Sequence, residues 1–263
     1  GFLVPFGQLA IWASITSAGI LTPDFAGYLL NSLFLASTTA VLALLLALFI
    51  AYGRRLSPSL ASRLAARVLG LGYALPGTVV AIGVLVPFAW VDNRLSAFMV
   101  ARFDFNTGLL LSGTVFILVF AYLVRFLPIA MNTVDAGLKK IRPSMDEAGR
   151  SMGLSPLKIL RRVHVPIMSG SLATALLLVF VDVLKELPAT LLLRPFNFNT
   201  LAIRTYELAN EERLADAAGP ALAIVLASLI PVILLSRSLR QAPGSSPDPA
   251  PAASNSTNAL DRK

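Results

Sequence analysis

Cysteine is absent from the 263 residues, which excludes disulfides and thiolate metal sites. Histidine occurs once, as His164, too few for a histidine metal cluster or a histidine proton relay. Charge is scarce: 14% of residues are Asp, Glu, Lys or Arg, where a soluble domain carries about 25%. No G-x-x-x-x-G-K-[ST] phosphate loop occurs, so any ATP chemistry must lie on a separate protein. Neither a nucleophile–base pairing nor a metal-ligand spacing is found. No catalytic residue, cofactor or metal ligand is expected.

Apolar length is what the chain has. Hydrophobic residues make up 56% of it, in runs of about 18 or more, enough to cross roughly 30 Å of hydrocarbon. The composition predicts an all-α, polytopic membrane bundle of about six helices. Spans are expected near residues 2–20, 28–53, 68–90, 109–131, 169–193 and 215–236, within one transmembrane domain over 1–241. The first is the weakest, its helix reading as if it begins before Gly1. Gly1 is not an initiating methionine and nothing basic precedes the first run, so no signal peptide is read and a longer parent chain is expected. Span three holds Gly70, Gly72, Gly77 and Gly83 with Pro76 and Pro87. Small residues let helices approach closely, and a packed interior tolerates proline bends. Residues 242–263, "APGSSPDPAPAASNSTNALDRK", bury too little apolar surface to offset ordering and are expected to form a disordered tail.

The net charge of +8 is distributed as in membrane loops, pointing to a lipid bilayer and not to nucleic acid. Arg54, Arg55, Arg63 and Arg67 fall in the 54–67 loop, and Lys139, Lys140, Arg142, Arg150, Lys158, Arg161 and Arg162 in the 132–168 loop. The intervening loops are poorer in Lys and Arg. The positive-inside rule therefore places these two loops and both termini in the cytoplasm.

Within the second basic loop lies "DEAGRSMGLSPLKILRRVHVPIM", residues 146–168. Ser144 and Glu147 fit a capping box for a helix running to about Met152. Gly153 suits the left-handed residue that ends such a helix. Ser155 and Pro156 read as N-cap and first-turn proline of a second helix. Leu157, Leu160 and Val163 recur at helical spacing along it, and Pro166 is expected to stop it. Taken alone, these signals fit either a docking knob with an apolar stripe or an ordinary loop lying against headgroups.

The spacing resembles the E-A-A loop of permease subunits of ATP-binding-cassette (ABC) importers, whose pattern is E-A-A, three residues, G, nine residues, then I-x-L-P. Here Glu147-Ala148-Gly149 is followed by Gly153 and then Val163-His164-Val165-Pro166. Gly149 stands for the second alanine, Val163 for isoleucine and Val165 for leucine. The resemblance implies that Glu147, Ala148, Gly153, Leu157, Leu160 and Pro166 belong to an element coupled to cytoplasmic ABC ATPase subunits. It also implies a periplasmic substrate-binding protein and a second permease half.

Span five contains "VDVLKELPATLLL". Ionisable groups inside a span are costly and usually face a cavity or a partner. Asp182 and Lys185 stand three residues apart, able to pair along one face. Glu186 precedes Leu187-Pro188, where proline can break the helix. These three read as a pathway or gate element, or else as an ion network with Arg125 on span four. By the expected boundaries Arg125 and Glu186 differ in depth by about two turns. The stretches "YALPGTVVAIGVL" and "LKELPATLLLRPFNFNTLAIRTYELANEERLADAA" are similar to the C-terminal half of fused permeases for ferric iron. Permeases for thiamine, sulfate, phosphonate or polyamine compete as substrates. An ion-coupled carrier with Asp182 and Glu186 as its relay is a different class of reading, with no use for the E-A-A spacing. The loop 194–214 reads as solvated and partly helical; the resemblance implies that a binding protein delivers substrate on this side, where some of its charges would meet it.

Overall fold

The computed structural model describes residues 3–16, 23–106 and 108–240; the expected tail 242–263 lies outside the described residues. The described chain is helical throughout: α1 Leu3–Ile15, α2 Pro23–Leu56, α3 Leu60–Gly70, α4 Gly77–Phe103, α5 Val115–Lys139, α6 Pro143–Ser151, α7 Pro156–Ile159, α8 Val165–Ile167, α9 Ser169–Leu184, α10 Pro188–Leu193, α11 Leu201–Asn210 and α12 Leu214–Arg240. Among the described residues, four helices are long and apolar enough to cross a membrane: Asp24–Leu56, Gly77–Phe103, Val115–Lys139 and Leu214–Ile233. The segment Pro156–Ile167 joins Ser169–Leu184 through a 79° bend. Helix α1, with 13 residues, is shorter than a full span. Among the described residues, four helices, or five with the bent pair taken as one span, therefore stand where six spans were expected.

The core forms where α2, α5 and α9 meet. Ala36, Ala40, Ala43, Ala47 and Ala51 recur every three or four residues along α2, and all are buried. In lipid the hydrophobic effect does not drive helices together, so a seam of small side chains helps by letting backbones approach and dispersion contacts accumulate. Helix α5 is the central post. Ile117, Leu118, Ala121, Tyr122, Phe126, Ala130, Val134 and Leu138 lie buried along it. Apolar residues on α4 such as Ile82, Val86 and Trp90 point outward instead.

Two spans are broken. Expected span three is not one helix over 68–90. Helix α3 leads into a 3-10 turn, Leu71–Ala74, and Pro76 precedes the restart at Gly77. Pro76 cannot donate a backbone N–H, and its φ of −57° with ψ of 142° takes the chain out of the helical path. Span five breaks at Lys185–Leu187, before Pro188, as its sequence suggests. Of the four glycines singled out in span three, Gly72 and Gly77 sit at close approaches, while Gly70 and Gly83 face open space. A Cβ at Gly72 would collide with the backbone carbonyl of Val124 on α5.

Loop 194–214 is more ordered than its charge suggests. Thr200 caps α11 by accepting from the Ile203 N–H, and Leu201, Ala202, Ile203 and Leu208 are buried. An amphipathic helix is seated there. Its charged face carries the pairs Arg194–Glu207 and Arg204–Glu207.

Candidate functional site

Two polar centres sit in this apolar bundle. The first is the knob formed by α6, α7 and α8 at the C-terminal ends of α2 and α5. Its first helix begins at Pro143 with Arg142 as the capping residue, and no side chain makes a cap hydrogen bond. The expected Ser144–Glu147 capping box does not form, because Pro143 at the first position starts the helix two residues earlier. The end of α6 follows expectation. Gly153 has φ +75°, the Gly153 N–H donates to Arg150 O, and the Leu154 N–H donates to Gly149 O. These two bonds are the Schellman pair that satisfies the last carbonyls of a helix. Ser155 is extended and Pro156 opens α7, though the Ser155 side chain makes no cap bond.

The second knob helix departs from expectation. Residues Leu160–His164 form a π-helical turn, in which the Val165 N–H donates to Leu160 O five residues back. Pro166 has no N–H with which to resume the ladder at once, which favours this wider turn. Pro166 does not stop the helix, as its type suggests it should. The helix runs to Ile167 and bends at Met168. The π turn also changes which side chains turn inward. Ile159 and His164, five apart, are buried, while Leu160 and Val163 are half-buried and Leu157 is 72% exposed. The expected stripe is therefore split. Its open end, Leu157, joins Glu147, Ala148, Met145 and Met152 on the exposed part of the knob.

Gly149 takes the place of an alanine in the E-A-A pattern, and the packing gives a reason. Gly149 is buried against Ile159, and a Cβ there would stand 3.0 Å from Ile159 Cδ1 and Cγ1. The two knob helices touch through that contact.

Beneath the knob lies a polar network with no counterpart in the sequence reading. The Arg55 Nε donates to Asp146 Oδ2 at 2.7 Å. Its Nη1 and Nη2 donate to Leu138 O at 2.8 Å and Ile141 O at 2.9 Å, at the end of α5. The other Asp146 oxygen lies 2.6 Å from His164 Nε2, an electrostatic contact off the N–H axis. Burial pushes the His164 pKa below its ordinary 6.5, and the carboxylate of Asp146 opposes that shift. One turn before Arg55, the Tyr52 hydroxyl donates to Pro156 O at 2.7 Å, and its ring meets the His164 ring edge-on at 5.3 Å. Arg54 adds a pair with Asp135 on α5 at 3.0 Å.

The second centre lies where the two broken spans meet. Arg125 is 10 residues from one end of α5 and 14 from the other, about 15 and 21 Å at ~1.5 Å per residue. It is near the middle of α5, because that helix starts at Val115 and not near 109. The depth mismatch expected from the sequence disappears. Arg125 Nη1 lies 3.3 Å from Glu186 Oε1, and the same oxygen accepts from the Ala189 N–H at 3.2 Å. Asp182 and Lys185 pair at 2.8 Å. Gly77, at the restart of span three, lies directly against this pair: a Cβ would overlap Arg125 Nη1 and lie 2.5 Å from Glu186 Oε1, so both side chains would have to shift. The hydroxyls of Tyr122 and Thr190 share a buried hydrogen bond beside this pair.

A cleft of about 420 Å³ is lined by Tyr73, Arg125, Phe126, Asp182, Lys185 and Glu186. A neighbouring cleft of about 410 Å³ shares Tyr73 and Asp182 and reaches Pro128, Asn132 and Thr133, toward the knob end of α5. All four charged residues expected in this region thus line the first of these clefts. Sequence reasoning missed Tyr73 and buried Asp92, and it singled out Gly77 without its place beside Arg125 and Glu186. Asp92 accepts from the Leu111 and Ser112 N–H groups and the Ser112 hydroxyl, fastening the α4–α5 connection. An aspartate inside an apolar run was the available signal.

Comparison with known proteins agrees with this architecture. Residues 43–241 match the family described as binding-protein-dependent transport system inner membrane component. The chain is 30% identical over 238 residues to the Fe(3+)-transport system permease protein FbpB 2 of Haemophilus influenzae, covering 89% of this chain and 44% of that one. It thus spans less than half the length of that relative. The 2-aminoethylphosphonate transport system permease protein PhnV of Salmonella typhimurium is 27% identical over 207 residues, 79% of this chain and 71% of its own. Among solved structures, a bacterial ABC transporter involved in import of the acidic polysaccharide alginate aligns at TM-score 0.73 and 16% identity, over 92% of this chain and 91% of its own. The inward-facing MetNI methionine ABC transporter aligns at TM-score 0.56 and 14% identity, over 84% and 98%. These two share the fold. The chain is a multi-pass inner-membrane protein and belongs to the family of binding-protein-dependent transport system inner membrane components.

Proposed function

We propose that this chain is the membrane-spanning half of an ATP-driven importer, with ferric iron as its substrate. The observation that carries the reading is the knob: two short helices joined at a left-handed Gly153, with Glu147, Ala148 and Leu157 exposed at E-A-A spacing. In this account the knob faces the cytoplasm and seats in a groove of a separate ATPase subunit. A second permease half completes the pore. Substrate arrives from a periplasmic binding protein at the opposite end, near α11. The passage beside Arg125 and Glu186 is the route, and the paired charges there bind cargo weakly enough to release it, as conduction requires.

The iron assignment draws support from the FbpB relative and from two carboxylates on the passage, since hard cations favour oxygen ligands. The phosphonate relative and the cations Arg125 and Lys185 favour a second reading, a phosphonate cargo. The test is reconstitution in proteoliposomes with a partner ATPase and a periplasmic binding protein. Uptake of labelled ferric iron that needs both ATP and the binding protein is expected. Uptake that persists without ATP and follows a proton gradient would reject the ATP-driven reading. Uptake of 2-aminoethylphosphonate in place of iron would move the substrate alone.

A further inference from the structure

The knob is fastened by side chains to the two helices that it underlies, as well as by the chain itself to the helix that follows it. Along the chain it meets α9 only through the 79° bend at Met168. Sideways it is held by one carboxylate and one guanidinium. Asp146 lies next to Glu147 in sequence, yet its side chain is largely buried and bridges Arg55 on α2 and His164 in the π turn. Arg55 spends its remaining donors on Leu138 O and Ile141 O. Those bonds add to the Ile141 N–H that Leu138 O already accepts, and they place positive charge at the negative end of the α5 dipole. Tyr52 adds a bond to the first residue of α7. A planar fork with three of its nitrogens engaged has little rotational freedom left.

We propose that Arg55 and Asp146 are positioning residues of the transport cycle: they lock the knob to α2 and α5 so that it moves with those helices as one body. This inference rests on the functional reading above, because a lock matters only if the knob is pushed. Force on the exposed face of the knob then reaches α2 and α5 through Asp146 and Arg55, beside the route through the bend at Met168 into α9. His164 serves as a filler that keeps Asp146 pointed at Arg55, wedged between the carboxylate and the Tyr52 ring.

The chain has no cysteine, so single labels can be placed without background. A spin label at Leu157→Cys is read in membranes for the parent, Asp146→Asn and Arg55→Lys. Expected is a slow, ordered label in the parent, a mobile one in Asp146→Asn and an intermediate one in Arg55→Lys. No partner protein is required, so this arm can fail while the importer reading stands. The second readout is substrate moved per ATP hydrolysed in the reconstituted complex. Asp146→Asn is expected to lower that ratio at least tenfold while ATP hydrolysis continues. Unchanged label mobility, or uptake and hydrolysis falling together in proportion to protein abundance, overturns the proposal.

If Asp146→Asn fails to insert, a third measurement decides. Tyr52→Cys and Pro156→Cys are bridged with a short bis-maleimide. A lock that stays closed through the cycle predicts that the bridged protein retains most of its uptake. Abolished uptake on bridging means α2 and the knob must part, and the proposal is wrong.

Discussion

The two polar centres are built from the same kinds of residue and are satisfied to different degrees. Under the knob, Arg55 makes three hydrogen bonds, two of them to backbone carbonyls, and its carboxylate partner touches two elements. In mid-bundle, Arg125 faces one carboxylate at 3.3 Å, and its buried Nε and Nη1 make no hydrogen bond to protein. Buried networks are rigid when every member is satisfied and costly when some are not. The contrast that holds is between the two arginines. Arg55, with all three nitrogens bonded, suits transmission of force even though Asp146 Oδ1 and both His164 nitrogens make no hydrogen bond. Arg125, under-bonded beside a cleft, suits a part that must rearrange.

The largest expected effect breaks the mid-bundle pair. Glu186 is only 6% exposed, and Glu186→Ala leaves the Arg125 cation without its partner, a change that costs about 3–5 kcal/mol for buried pairs. Thermal unfolding in detergent should show a large loss of stability, and the double variant Arg125→Gln with Glu186→Gln should recover much of it. Next comes Gly72→Ala. The added methyl meets the Val124 backbone, which cannot swing aside, and overpacking of this kind costs about 1–3 kcal/mol. Yield of monodisperse protein on size exclusion checks it.

Much of this was legible in advance, for a physical reason in each case. Apolar length reports spans because lipid demands it, and the left-handed turn at Gly153 follows from the glycine itself. Pro188 announced the break in span five. What stayed hidden depended on registers that local patterns do not carry. Moving the start of α5 from 109 to 115 shifts Arg125 by six residues, about 9 Å at ~1.5 Å per residue, enough to conceal its pairing with Glu186. The π turn at Leu160–His164 replaced an expected α-helical stripe, so Ile159 and His164 turned inward where Leu157, Leu160 and Val163 were expected to share one face. Asp146 attracted no notice beside the patterned Glu147, although a carboxylate and a lone histidine on one knob offered a pairing to consider.

Smaller changes probe the knob itself. Gly149→Ala should cost about 1 kcal/mol, since Ile159 must yield a few tenths of an ångström. Ile159→Val in the same chain should restore the loss, measured as protection of the knob from proteolysis. The smallest expected effect is with pH. The His164 pKa is lowered in the folded knob, so below about 6.5 the unfolded form binds more protons and stability falls with pH. The groups facing this ring are Asp146, Arg55 and Tyr52. Asp146 restrains the shift, which keeps the effect modest. Knob proteolysis at pH 8 and pH 5.5 reads it, with faster cutting expected at pH 5.5, and His164→Gln should flatten the difference.

The account as a whole turns on where the knob lies and what covers it. The direct measurement is labelling of Leu157→Cys with a membrane-impermeant maleimide, in intact cells and in inside-out vesicles, with and without the partner ATPase. The account predicts labelling only in inside-out vesicles, and its suppression when the ATPase is bound. Labelling from outside intact cells, or labelling that the ATPase leaves unchanged, would contradict it.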